Sequence, residues 1–107
     1  MKRYGMVIHI IPEKILEYKQ LHRHVWSDVL EILSRHHVKN YTIFLKDNLL
    51  FGYFEYHGQN YAEDMQKIAN DATTQRWWQE TAPCQEPFAT RTDGEWWSEM
   101  EEVFHLE

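Results

Sequence analysis

Tyr18, His22 and Trp26 follow one another at intervals of four residues. On a helix, side chains at that spacing stack on one strip of surface. A phenol, an imidazole and an indole would then share one rigid face. Imidazole titrates near neutral pH and both gives and takes protons, so the chemistry within reach is general acid–base catalysis. A core histidine bonded to a neighbour is the plainer reading of a lone histidine on an apolar face; the flanking rings favour a site.

Spacing argues against the other chemistries. Seven histidines are present, but His22 and His24 would point about 200° apart on a helix and His36 and His37 are adjacent. No His-x-x-x-His pair occurs and Cys84 is the single cysteine, so no metal centre is expected. Ser27, Ser34 and Ser98 lack the glycine-flanked elbow of a serine nucleophile, Cys84 beside Pro83 reads as inert, and four glycines form no phosphate loop. What remains is an imidazole, phenols and indoles. Such rings pack on the flat C–H face of a carbohydrate while its hydroxyls bond to Tyr, Asn or His. Trp77 and Trp78, as helix neighbours, point about 100° apart; one is expected in the core and the other at the edge of a cleft.

The 107 residues suit one domain spanning 1–107. With 43% hydrophobic and 15% aromatic content, disorder is excluded and a surplus of rings is left for an interface or a ligand. A net charge of −6 without a basic cluster argues against nucleic acid. No apolar run has the length of a membrane span. Met1–Lys2–Arg3–Tyr4 leads straight into alternating sequence rather than a signal peptide, and with one cysteine the expected location is the cytoplasm.

The elements that must position these residues follow from patterning. Residues 2–11 are β-branched and nearly continuously apolar, a buried strand. Pro12 and Glu13 open a helix expected to run unbroken to about Arg35, with His36 and His37 in a structural role at its end. Residues 38–46 alternate, with Tyr41, Ile43 and Leu45 on one face. Asp47–Asn48 signals a turn and 49–56 the returning strand. A short helix is expected over 61–70 and another over the segment carrying Thr74–Glu80, capped by Asp71 or Thr73. Residues 83–94 read as irregular and 100–106 as a last strand. Strand, helix, hairpin, helix, strand is the split βαβ order, an α+β ferredoxin-like antiparallel sheet with helices on one face. A second copy of the chain is the expected cover for the other face, giving a homodimer.

Five motifs in this order resemble the bacterial L-rhamnose mutarotase family. They are Tyr18-x-x-x-His22-x-x-x-Trp26, Asn40-Tyr41-x-Ile43-x-Leu45, Leu49-Leu50-Phe51, Gln75-Arg76-Trp77-Trp78 and Glu102-Val103-Phe104-His105-Leu106. The resemblance implies a ferredoxin-like dimer in which His22 is the proton donor and Tyr18, Tyr41, Trp77 and Trp78 bind the sugar. Trp26 and Glu102 are further candidates, Glu102 because it would share a strand face with Phe104 and Leu106. Residues 83–97 depart from the Asn-Pro-Asp-Asn-Ser-Pro type of run usual in rhamnose enzymes. They look more like a sister branch, some of whose members are linked to L-fucose.

A mutarotase protonates the ring oxygen and deprotonates the anomeric hydroxyl, so the aldehyde recloses on its other face. Neither a metal nor a cofactor is needed. The expected function is therefore interconversion of the α and β anomers of L-rhamnose, with His22 as acid to the ring oxygen and its partner base unassigned. Three alternatives stand beside it: a mutarotase for another deoxy-hexose such as L-fucose, a cofactor-free monooxygenase of the same dimeric shape, and a non-catalytic sugar-binding dimer.

Overall fold

The computed structural model describes residues 1–107. Strand β1 (Lys2–Ile10) lies at the centre, paired antiparallel with β3 (Leu49–Tyr56), which pairs in turn with β2 (Val38–Lys46). On its other side β1 meets two short strands in tandem: β4 (Gln85–Glu86) opposite His9–Ile10 and β5 (Ser98–Met100) opposite Gly5–Val7. The spatial order β2–β3–β1–β4 is that of the split βαβ arrangement.

Because side chains alternate across a pleat, the register sorts the sheet into two faces. Tyr4 pairs with Phe54 and Ile8 with Leu50, and these residues are buried under the helices. One cluster joins Tyr4, Val38, Phe54, Tyr56 and Ile68; a second joins Ile8, Ile10, Tyr18, Leu50 and Cys84. The other face carries Arg3, Val7, Phe44, Leu49, Phe51 and Met100, and no helix covers it. The hairpin turn holds Asp47 and Asn48 at φ of 51° and 63°. That is the two-residue geometry matching the twist of its strands, and Asn and Asp tolerate it well. A bulge between Lys39 and Thr42, with Asn40 at φ 53°, turns the Tyr41 ring onto the helix side, 5.5 Å from that of Phe54.

Helix α3 (Tyr61–Asn70) has the expected bounds, its first turn capped by Asn60, which accepts from Glu63 N at 3.1 Å. Asp71 caps α4 (Ala72–Thr81), accepting from Thr74 N at 2.9 Å. Two expectations fail. The long helix from Pro12 to Arg35 is instead a single 3₁₀ turn (Pro12–Lys14), α1 (Ile15–Arg23) and α2 (Ser27–Arg35). His24 and Trp26 leave helical geometry at φ −139°, ψ 57° and φ −59°, ψ 133°. The Trp26 carbonyl restarts the ladder, accepting from Val29 N and Leu30 N, and Asp28 adds a favourable charge to the new first turn. The break re-aims α2 so that Val29 is buried. The last strand also ends at Met100 rather than Leu106. Met100 faces Gly5, so continuing that register would bring Glu102 to Arg3 and then run past the start of β1. Beyond Arg3 only Lys2 of β1 remains, too little to pair residues 103–106, and Val103, Phe104 and Leu106 lie exposed.

His36 and His37 do serve structure, by tying the end of α2 to α3. Both donate from Nδ1 to Asp64, at 3.1 and 3.2 Å, and the Tyr56 hydroxyl donates to the same carboxylate. These bonds, the Tyr56 bond foremost, hold the Asp64 carboxyl down at about 2 against an ordinary 3.8. A depressed carboxylate stabilises the fold fully above its unfolded value, and that contribution is lost as pH falls through the folded one. We therefore expect Asp64→Asn to lower the urea midpoint at neutral pH. The gap to wild type should close between pH 3.8 and about 2, and a gap independent of pH would count against this role.

Candidate active site

Helix α1 presents Tyr18 and His22 one turn apart, and their rings stack with centroids 4.1 Å apart. His22 Nδ1 lies 2.9 Å from the Tyr18 carbonyl oxygen. A carbonyl only accepts, so Nδ1 carries a hydrogen and Nε2 is left as the free base. Trp77, from α4, meets the His22 ring edge-on at 5.4 Å and the Trp26 ring at 5.2 Å. Trp26 reaches that position from the break between α1 and α2 rather than from a continuous helix. Half-buried among these rings, His22 is poorly solvated as a cation. Burial lowers its pKa from 6.5, partly opposed by the bond to the Tyr18 carbonyl. The resting imidazole is neutral at pH 7.

Two phenols face the same interior. Tyr18 is buried, and its hydroxyl pKa is pushed up to about 12, chiefly by burial. Tyr41 is 39% exposed as a residue, but burial of its hydroxyl raises its pKa, and proximity to Tyr18 and Tyr61 raises it further. The outer side of Tyr41 forms one wall of a groove of about 500 Å³ between α2 and β2 that does not include His22. Both phenols therefore stay protonated and act as hydrogen-bonding groups, not bases.

Of the residues singled out from sequence, Tyr18, His22, Trp26 and Trp77 share direct ring contacts, whereas the Tyr41 ring contacts Phe54 and lies close enough to Tyr18 to raise its own pKa through that neighbour. The structure divides the indole pair as expected: Trp77 is 6% exposed and Trp78 44%. Trp78 makes none of these ring contacts. Glu102 is the clear misfit, since its carboxylate pairs with Arg3 Nε at 2.6 Å on the sheet face away from His22. It therefore does not serve His22 as a base within one chain. In the register of β5 Glu102 has the parity of Ser98 and Met100, which places it on the uncovered face whether or not the strand continues. Cys84 is buried beside Glu17, which accepts from its Sγ at 3.3 Å; burial, reinforced by Glu17, pushes the thiol up to about 11. It is unreactive at cellular pH.

Sequence reasoning passed over Gln85 and Trp96. Gln85 Nε2 lies 3.2 Å from the Tyr18 hydroxyl, and Trp96 Nε1 donates to Gln85 Oε1 at 2.8 Å. Nothing in the run Pro83-Cys84-Gln85-Glu86-Pro87 marks this contact, which depends on the pairing of β4 with β1. No group of three or more His, Cys, Asp and Glu side chains is arranged to hold a metal ion.

Comparison with known proteins gives this geometry a context. The family model described as L-rhamnose mutarotase matches residues 3–106. The chain is 32% identical to an L-rhamnose mutarotase of Oceanobacillus iheyensis and 33% identical to one of Yersinia pestis, in both cases over the full length of both chains. With the Bacillus subtilis L-rhamnose mutarotase it shares 35% identity over 78% of this chain and 79% of that one. Among solved structures, an L-rhamnose mutarotase of Formosa agariphila superposes along both whole chains with a TM-score of 0.80 at 22% identity. Tetracenomycin F2 cyclase of Streptomyces glaucescens, a type-II polyketide cyclase, does so at 0.72 and 14%. At these identities the two structures establish a shared fold, and that fold evidently carries more than one chemistry.

Proposed function

The chain belongs to the L-rhamnose mutarotase family, and on that premise we propose that His22 carries the proton when the α and β anomers of L-rhamnose interconvert. Enzymes of this kind are isomerases acting on carbohydrates. The observation that supports the role is the neutral imidazole whose Nδ1 is held by the Tyr18 carbonyl and whose Nε2 is free.

The step balances on one group. Nε2 takes the hydrogen of the anomeric hydroxyl while the bond from the anomeric carbon to the ring oxygen breaks. The ring electrons leave on that oxygen, which receives the same proton from the imidazolium. The aldehyde rotates and the sequence runs in reverse on its other face. The two oxygens share one carbon, so a single nitrogen serves both. His22 is thus acid to the ring oxygen, as first assigned, after acting as base to the anomeric hydroxyl, and no second base such as Glu102 is required. A low pKa makes its conjugate acid a ready donor. Neither a metal nor a cofactor enters.

Tyr18 and Tyr41 orient the sugar hydroxyls, Trp77 and Trp26 wall the imidazole, and Trp78 offers an exposed ring to the sugar's apolar face. Tyr41→Phe removes one neutral hydrogen bond, worth about 0.5–1.5 kcal/mol. It should weaken L-rhamnose binding roughly 3–10-fold by calorimetry, and unchanged affinity would remove Tyr41 from the site.

The proposal includes a homodimer through the uncovered sheet face. Phe44 there is 64% exposed beside Val7, Leu49, Phe51 and Met100, next to a tail whose Val103 is 89% exposed. Apolar area of this kind marks a contact surface. A cytoplasmic location accords with the free, buried Cys84 thiol. One second reading, that L-fucose is the better substrate, rests on the departure of residues 83–97 from the run usual in rhamnose enzymes, a segment whose Gln85 reaches Tyr18. Saturation-transfer NMR on both sugars decides. Exchange faster than the buffer rate for L-rhamnose supports the proposal, a larger acceleration for L-fucose favours the second reading, and buffer rates for both would refute the activity.

A further inference from the structure

The amide of Gln85 stands between Tyr18 and the loop that closes the chain's second half. β4 sets Gln85 opposite Ile10, on the helix-covered face, where it is 8% exposed. Its Oε1 accepts from Trp96 Nε1 at 2.8 Å, and its Nε2 is 3.2 Å from the Tyr18 hydroxyl. An indole N–H can only donate, and so can an amide NH₂. The indole therefore fixes which end of the amide faces which neighbour, and the Tyr18 hydroxyl must accept. Its own hydrogen is left to point elsewhere, toward the interior it shares with Tyr41 and His22. Were the amide reversed, its oxygen would capture that hydrogen and Tyr18 would present only lone pairs.

Trp96 is placed to do this by its own loop. Thr92 N donates to Glu95 Oε1 at 3.0 Å and Glu95 N to Thr92 O at 3.0 Å, which closes a turn just before the indole. Farther back, Phe88 stacks on His9 at 4.3 Å.

We propose that Gln85, oriented by Trp96, is a positioning residue that holds the Tyr18 hydroxyl as a hydrogen-bond donor to the sugar oxygen that becomes negative as the ring opens. The inference rests on the His22 reading above. No proton leaves Tyr18: it donates a hydrogen bond to the ring oxygen while His22 carries the proton between the two oxygens. A donor aimed at developing charge contributes to kcat more than to binding.

The test is Gln85→Glu, which keeps the shape. Both new carboxylate oxygens accept, so Trp96 is still satisfied but the Tyr18 hydrogen is captured. Anomer-exchange kcat for L-rhamnose should fall about 10–100-fold with a smaller change in KM. The ratio of variant to wild-type kcat should rise as pH falls, because protonating the new carboxyl restores a donor toward Tyr18. In a Tyr18→Phe background the same substitution should change kcat less than about twofold, the signature of two residues acting as one unit. Trp96→Phe, which keeps the ring and removes the N–H, should lower kcat severalfold with the same dependence on Tyr18, and it carries the test if the buried carboxylate prevents folding. Wild-type kcat in both variants, or an equal loss in the Tyr18→Phe background, overturns the inference. Wild-type protein is run alongside: exchange at the buffer rate there defeats the mutarotase reading and this inference with it. Fast wild-type exchange with indifferent Gln85 and Trp96 variants defeats the inference alone.

Discussion

Replacing His22 with alanine should bring L-rhamnose anomer exchange down to the buffer rate, a loss of at least about 10²-fold given what a positioned acid–base group supplies. The size follows from His22 being the single proton carrier: the phenols nearby are held protonated by burial, and Glu102 is engaged with Arg3 on the opposite face. The fold should survive. His22 is half-buried at the end of α1 and belongs to neither core cluster, so far-UV circular dichroism and the urea midpoint should stay close to wild type. Retained catalysis in a folded variant would end the assignment. The pH dependence has a defined sign. The active resting form is the neutral base, so the wild-type rate should be flat near neutrality and fall on acidification. The midpoint should lie below 6.5, because burial lowers the pKa.

The second large effect concerns assembly. Wild-type protein should have twice the 13.1 kDa chain mass by light scattering, and Phe44→Asp with Phe51→Asp should give 13.1 kDa. A two-fold interface uses the same patch on both subunits, so each substitution counts twice. Burying one phenylalanine is worth about 1.5–3 kcal/mol, so losing even one from both copies weakens association roughly 10²–10⁴-fold. Both side chains point away from the core clusters, so the monomer should keep its secondary structure. A monomeric wild type, or a double variant that remains a dimer, would contradict the use of this face.

Features set by neighbours in the chain were legible in the sequence. Asp47–Asn48 announced the turn, Asp71 was one of two candidate caps for α4 and is the one used, and the bounds of α3 came out unchanged. The i, i+4 relation of Tyr18 and His22 needed one turn of helix, and that turn exists. Features set by distant partners were not legible. Nothing local to His24–Trp26 marks a break, because a helical wheel carries Trp26 on the same strip whether or not the helix continues. The alternation of Val103, Phe104 and Leu106 reads as strand, yet in the register of β5 only Lys2 of β1 remains opposite this segment. Glu102 was misplaced because its side of the sheet is set by the pairing of β5 with β1, which puts it on the face of Ser98 and Met100 beside Arg3. Gln85 meets Tyr18 only through the register of a two-residue strand, and Trp96 joins them only through Gln85. The aromatic surplus suggested sugar chemistry among other uses, and the motif resemblance turned that into a family.

The most direct test of the central claim is the nitrogen spectrum of His22 across a pH titration, recorded beside the anomer-exchange rate. The account predicts a neutral ring bearing its hydrogen on Nδ1, a titration midpoint below 6.5, and an acid limb of the exchange rate that coincides with it. A hydrogen on Nε2, or a rate that ignores the titration of this ring, would contradict it.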